Sequence, residues 1–356
     1  MEQRTRLIVL FGGQSPEHDV SCISARHILA AADPDRFDVV PVAIGRDGVW
    51  RTADEALSAL ADGPDALPDA LLSTGSPIEP MTALTQPDGV QTVVFPAIHG
   101  PMGEDGTVQG LLELANIAYV GSGVLGSAVC MDKALAKELT AFHEIPQAAW
   151  RTVHFSEISD ALVAEIEGDL GLPVYVKPAN MGSSLGVSKA ATLDELAEAL
   201  DLAASYDEWI VVEENIDGHE IEVAVLGNHA PIASIPGEIV PGASFYTYED
   251  KYRDGVAELH IPARLPDAVN EAIRSAAVKA YRALRCEGLA RVDFFYDAKY
   301  DRILLNEINT MPGFTPISMY PKMWAATGIE YPDLISRLVD LAVARHDRRL
   351  AHRRTE

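Results

Sequence analysis

Two apolar runs constrain this chain more than any other feature: Arg291-Val292-Asp293-Phe294-Phe295-Tyr296 and Ile303-Leu304-Leu305-Asn306-Glu307-Ile308-Asn309. A polar segment, Asp297-Ala298-Lys299-Tyr300-Asp301, separates them, which predicts an antiparallel hairpin. Side chains alternate along a strand, so Glu307 and Asn309 share a face. Pairing of the strands brings Asp293 to the same end. Two carboxylates and an amide oxygen make a hard, oxygen-only donor set suited to Mg²⁺, which takes a few protein oxygens plus phosphates and waters. A solvated strand edge explains any one of these residues. It does not explain a set that interrupts apolar strands and precedes a rigid Asn309-Thr310-Met311-Pro312-Gly313 turn. A metal–nucleotide site is the expectation.

At 356 residues the chain has room for two or three domains, each with its own core. No apolar run approaches the roughly 18 residues that span a bilayer. The start, MEQRTRLIVLFGG, has about six apolar residues before its glycines, too few for a signal peptide. The three cysteines (Cys22, Cys130, Cys286) are widely spaced in sequence and suit a reducing compartment, with neither a disulfide framework nor a zinc site. A cytoplasmic location is therefore expected. The net charge of −25 disfavours a nucleic-acid partner. An anionic ligand would need lysines concentrated locally. The basic tail from Arg345 to Arg354 is read as cations complementing a helix C-terminus.

Residues 5–45 read strand, helix, strand, the opening of a doubly wound parallel sheet. Residues 51–90, rich in Ala, Asp and Pro, read as an irregular insert. QTVVFPAIHG resumes the sheet and a helix begins at Thr107. A second domain is expected from about Met131, with a helix over Asp132–His143, the strand VYVKP, a Gly/Ser loop, the strand GVSKA and a helix from Leu193 to Leu202. The expected division is 1–130, 131–216 and 217–356. The last helix, from Tyr331 to Ala344, carries Leu334, Ile335, Leu338, Val339 and Ala342 at helical spacing, which core packing explains.

Several loops carry candidate chemistry. Gly12-Gly13-Gln14-Ser15-Pro16-Glu17-His18 lies between a strand and a helix, where backbone N–H groups favour an anion. Glu17 suits an ammonium, or merely complements the helix dipole. His99, at a strand end before a glycine-rich loop, is either structural or functional. Gly121-Ser122-Gly123-Val124-Leu125-Gly126 matches a dinucleotide fingerprint but does not open a βαβ unit. It is read as a tight turn into the helix carrying Lys133. Lys177 and the loop Gly182-Ser183-Ser184-Leu185-Gly186 could cradle phosphates, although no Gly-Lys dipeptide of a Walker A loop exists. Glu213, Glu214, Ile216 and Glu220 sit near a strand end and could receive adenine and ribose, or simply be exposed. Phe245 to Tyr252 interleaves aromatics with charges and suggests a lid.

Taken in order, GGQSPEHDVS, HGPMGEDGTVQG, GSGVLGSAVCMDK, VKPANMGSSLGVSK, YEDKY, RVDFF and NEINTMPGFT resemble the D-alanine–D-alanine ligase family of ATP-grasp enzymes, from Leu7 to about Leu341. The resemblance implies a mixed α/β and α+β chain, an ATP-grasp fold preceded by a doubly wound Rossmann-like N-terminal domain. It implies ATP and two Mg²⁺ (or Mn²⁺) ions, D-alanine as substrate, a homodimer, and neither nucleic acid nor membrane as partner. Lys133 and Lys177 would bind ATP phosphates, with Ser184 in the loop closing over them. Glu213 and Glu220 would hold adenine and ribose, with backbone contacts from Glu214 and Ile216. Asp293, Glu307 and Asn309 would hold the metals. Glu17 would take the first D-alanine's ammonium, networked with Ser183 and Tyr252, and His99 would lie near its carboxylate. Arg291 and the Gly313 N–H would form the oxyanion site, Ser318 would bind the second carboxylate, and Lys251 would reach the transferred phosphate.

Such a chain would make an acyl phosphate and then an amide, with water excluded by two closing segments. Three alternatives compete. D-Lactate as second substrate is disfavoured because Tyr252 is kept, D-serine stays open, and a dead ATP-binding module predicts a lost lysine or metal ligand, yet all are present.

Overall fold

The computed structural model describes residues 4–240 and 258–353. Its first strand, β1 (Thr5–Gly12), has Leu7 to Phe11 fully buried, as a central parallel strand covered on both faces requires. Beside it lie β2 (Phe37–Ile44) and β4 (Thr92–Pro96), both parallel to it; the order is β3-β2-β1-β4-β5, with β3 (Trp50–Thr52) antiparallel and β5 (Ala118–Tyr119) parallel. The helix His18–Ala31 packs on β1. This is the doubly wound opening the sequence predicts.

Residues 51–90 differ from expectation. They form β3, a helix Asp54–Ala61 and shorter turns, and bury Leu67, Leu71 and Leu84 against the sheet. These pieces are too short for a helical or strand period to emerge from the sequence. The Gly121–Gly126 turn also differs: it enters a helix Val124–Met131, and only then does Asp132 cap the helix Lys133–Phe142 by accepting from Leu135 N at 3.0 Å.

The second sheet is antiparallel, in the order β6-β9-β7-β8, from Trp150–His154, Trp209–Glu214, Val174–Pro178 and Ser188–Ala190. Helices Asp160–Leu170 and Leu193–Ala204 cover one face through Ile166, Leu196 and Leu200. Across the other face Ala134 of the Lys133 helix meets Ala179 and Val211.

The third sheet runs β13-β12-β10-β14-β15, with β11 (Ile232–Ala233) also on β10. Its strands are β10 (His219–Leu226), β12 (Gly237–Val240), β13 (Glu258–His260), β14 (Leu289–Asp297) and β15 (Arg302–Asn309). The predicted hairpin is β14–β15, with Asp293 opposite Glu307 and Arg291 opposite Asn309. Helix Asp267–Ala283 packs on one face, and Met319–Ala326 with its Tyr320, Met323 and Trp324 on the other.

The last helix, Tyr331–Arg353, returns to the first sheet. Leu334, Ile335, Leu338, Val339 and Ala342 share one buried cluster with Leu7, Phe95 and Phe314. The basic tail does more than complement a dipole. Arg345 is buried over the Tyr119 ring, 3.9 Å from its centroid, and Arg348 and Arg349 pair with Glu287 and Glu113. The cysteines are unbridged, but folding brings the Cys130 and Cys286 thiols to 3.5 Å despite their separation in sequence. Among the described residues no helix is long and apolar enough to cross a membrane.

Candidate active site

A cavity of about 940 Å³ receives side chains from all three sheets and their loops. Every site residue expected from the sequence and described in the structure lines it, except Asp293, which lies behind Arg291. Tyr252 and Lys251 lie outside the described residues.

At one end, Glu17 stands just before the helix His18–Ala31 and is buried. It accepts a hydrogen bond from Ser183 Oγ, which ties the first sheet's loop to the Gly/Ser loop of the second. Ser183 and Ser184 both adopt left-handed backbone angles, φ +49° and +59°. Non-glycine residues in that region cost about 1–3 kcal/mol each, and such strain concentrates at functional loops. Gly100 and Gly182 crowd the same carboxylate: a Cβ on either would come within 2.4 or 2.7 Å of Glu17 Oε2. His99 is buried, with Nδ1 3.0 Å from the Met311 carbonyl and Nε2 2.9 Å from Ser24 Oγ. Burial pulls its pKa down, but Glu104, 3.7 Å away, together with Glu17 and the Met311 carbonyl, raises it above the ordinary value.

At the other end, Lys133 begins its helix and donates to the Met181 carbonyl at 2.6 Å, under the Gly/Ser loop. Lys177, near the end of β7, donates to Glu213 at 3.0 Å and to Asn306 Oδ1 at 3.3 Å. Burial disfavours its charge, but Glu213 and Glu307 outweigh that and raise its pKa. Conversely, Lys137 and Lys177 overcome burial and hold Glu213 below the usual carboxylate range. Both ends of the ion pair are therefore charged. The neighbouring Glu214 turns its side chain to the Ala149 N–H, 2.9 Å away, and Ile216 and Glu220 follow on the cavity wall.

The hairpin forms the floor. Arg291 donates to both oxygens of Asp293, Nε to Oδ1 at 2.8 Å and Nη2 to Oδ2 at 2.7 Å, and lies 3.1 Å from Glu222 on β10. Burial lowers the guanidinium pKa, but Asp293 and Glu222 raise it well above its ordinary value. Asn309 donates through Nδ2 to Asp293 Oδ2 at 3.0 Å, which leaves its amide oxygen available. Beyond the turn, a Cβ on Gly313 would lie 2.6 Å from Ser318 Oγ. Close approach of a ligand to that backbone therefore needs glycine.

Do these residues fit a divalent cation? The donors are hard oxygens on paired strands, but among the described residues no three His, Cys, Asp or Glu side chains cluster as a metal site. Two carboxylates and an amide form an incomplete shell. That suits an ion carried in with phosphate oxygens, the usual Mg²⁺ arrangement, rather than a protein-only cage.

A profile described as D-ala D-ala ligase N-terminus matches residues 6–122, and one described as D-ala D-ala ligase C-terminus matches residues 139–340. The chain belongs to the D-alanine–D-alanine ligase family. It is 48% identical to the D-alanine–D-alanine ligase of Deinococcus radiodurans over 346 residues, 96% of this chain and 99% of that one. With the D-alanine–D-alanine ligase A of Salmonella typhimurium it shares 46% over 353 residues, 96% of this chain and 97% of the relative. Among solved structures it resembles the family's enzyme from Coxiella burnetii, with a TM-score of 0.85 at 36% identity, covering 99% of this chain and 97% of that one. It also resembles the VanG D-Ala:D-Ser ligase of Enterococcus faecalis, with a TM-score of 0.79 at 34% identity, covering 96% of this chain and all of the other. The fold is that of the ATP-grasp ligases, as expected.

Sequence reasoning missed several residues at this family's site: Lys137, Glu104, Asn306 and Glu222. Two left a signal. Lys137 falls one helical turn after Lys133, and Glu222 shares a strand face with Glu220.

Proposed function

We propose that the chain joins two D-alanines into D-alanyl-D-alanine, splitting ATP to ADP and phosphate, in the synthesis of peptidoglycan precursors. The observation that carries this reading is convergence: the Glu17–Ser183 pair, Lys133 with Lys177, and the Arg291–Asp293 hairpin all meet at one cavity.

The reaction needs two steps. A carboxylate oxygen of the first D-alanine attacks the γ-phosphorus, the bond to ADP breaks, and an acyl phosphate forms. The amine of the second D-alanine then attacks that carbonyl, phosphate leaves, and one amine proton goes to solvent or base. Glu17, held by Ser183, takes the first ammonium, and the raised pKa of His99 suits it to the adjoining carboxylate. Lys133 and Lys177 bind phosphates, with Ser184 in the loop above them, while Glu213, Glu214, Ile216 and Glu220 receive adenine and ribose. Arg291 and the Gly313 N–H stabilise the tetrahedral oxyanion, and Ser318 takes the second carboxylate. Donors already oriented need no reorganisation, and one such donor contributes roughly 2.7–4 kcal/mol. Asp293, Glu307 and Asn309 would hold divalent cations, whose chemistry is to neutralise phosphate charge. Lys251 and Tyr252 complete the assignment from the sequence. The domain division at 130 and 216, two Mg²⁺ ions and a homodimer belong to the same proposal.

The likeness to a D-Ala:D-Ser ligase keeps D-serine as the competing second substrate. Phosphate release from Mg²⁺-ATP with D-alanine alone, with product mass matching the dipeptide, is the expected result. Turnover only with a D-alanine and D-serine mixture overturns the second-site reading. No release with any pair overturns the ligase reading.

A further inference from the structure

Behind the nucleotide end of the cavity sits a buried lysine that does not line it. Lys137 is 3% exposed, lies 3.3 Å from Glu213 Oε1, and faces the Trp150 ring at 5.5 Å. Glu213 therefore bridges two cations, Lys137 through one oxygen and Lys177 through the other at 3.0 Å. Glu213 and Lys177 both line the cavity.

Burying an ammonium costs several kcal/mol, and an apolar residue of similar length in its place is often neutral or stabilising. Packing alone therefore argues against a lysine here. Charge balance argues for one. With a single lysine, Glu213 and Lys177 would neutralise each other, and an arriving phosphate would have to break that pair and leave a carboxylate buried and uncompensated. With two, the trio carries a net positive charge as long as Lys137 keeps its proton, which burial and Lys177 disfavour and Glu213 and Glu307 favour, and Glu213 keeps a counterion when Lys177 turns away.

We propose that Lys137 is a positioning residue for nucleotide binding: it keeps Glu213 anchored and compensated, so that Lys177 can exchange that carboxylate for a phosphate. The proposal rests on the ATP-dependent reading above. Its geometry also fixes a boundary: the D-alanine end, at Glu17 and His99, receives nothing from Lys137, so the effect is confined to the nucleotide.

The test is calorimetric binding of the imido analogue of ATP with Mg²⁺, alongside steady-state kinetics. Lys137→Met should weaken analogue binding about tenfold, the scale of one charge-assisted contact, and raise the KM for ATP in step. The KM for D-alanine should stay within about twofold of wild type. In a Glu213→Gln background the same substitution should cost less than about threefold, because its partner is gone. Should Lys137→Met fail to fold, Lys137→Gln takes its place in the cycle. Unchanged analogue affinity, or a loss fully additive with Glu213→Gln, overturns the proposal and leaves Lys137 a packing residue. Failure of the wild-type protein to bind the analogue overturns the reading beneath it.

Discussion

Asp293 is held by Arg291 through two hydrogen bonds and by Asn309 through a third. Glu307 stands directly across the hairpin from it, and the proposed function makes both metal ligands. Glu307→Gln keeps the shape and removes the charge. Turnover should fall at least about a hundredfold while far-UV circular dichroism stays unchanged. Activity near wild type would remove Glu307 from the metal assignment. His99 allows a prediction in pH. Its folded pKa is raised, so it binds its proton more tightly folded than unfolded, where about 6.5 is ordinary. The stability it contributes is complete below that value and is lost as pH rises through the higher folded value. The melting-temperature advantage of wild type over His99→Gln should therefore be larger at pH 5.5 than at pH 9. An advantage that grows with pH would show that His99 is neutral in the fold.

At the scale of elements, the hairpin was legible because its apolar runs are long and its polar residues fall on one face, so Asp293, Glu307 and Asn309 could be placed before any coordinates. The βαβ opening was legible for the same reason. The 51–90 segment was not, because its longest helix has only 8 residues and its burial depends on contacts with a distant sheet. Nor was the helix Val124–Met131, which ends where the expected helix begins, at its Asp132 cap. That cap has a functional consequence, since it starts the helix that presents Lys133 and Lys137. Asp132→Ala should cost about 1 kcal/mol in urea unfolding and weaken nucleotide binding more than D-alanine binding. Equal losses for both substrates would mean that the cap stabilises without orienting.

For the whole molecule, the chain's two ends are built into one core. Leu338 on the last helix is fully buried in the cluster that holds Leu7 and Phe95 of the first sheet and Phe314 of the turn after the hairpin. Phe314 meets Phe95 edge-on at 5.4 Å and donates its backbone N–H to Ser24 Oγ, on the helix that follows Glu17. The last helix thus braces both the loop bearing Glu17 and the turn bearing Gly313, although none of its described residues lines the cavity. Leu338→Ala removes buried methyl groups and leaves a cavity, which costs about 2–5 kcal/mol depending on how far the surroundings collapse. If that core locks the two walls, the loss should extend to function: the KM for D-alanine should rise more than the KM for ATP, whose proposed lysines sit on the helix Lys133–Phe142 and on β7. Chemical denaturation and the two KM values measure this directly. A destabilised Leu338→Ala protein with wild-type KM for both substrates would show that the walls keep their alignment without the brace.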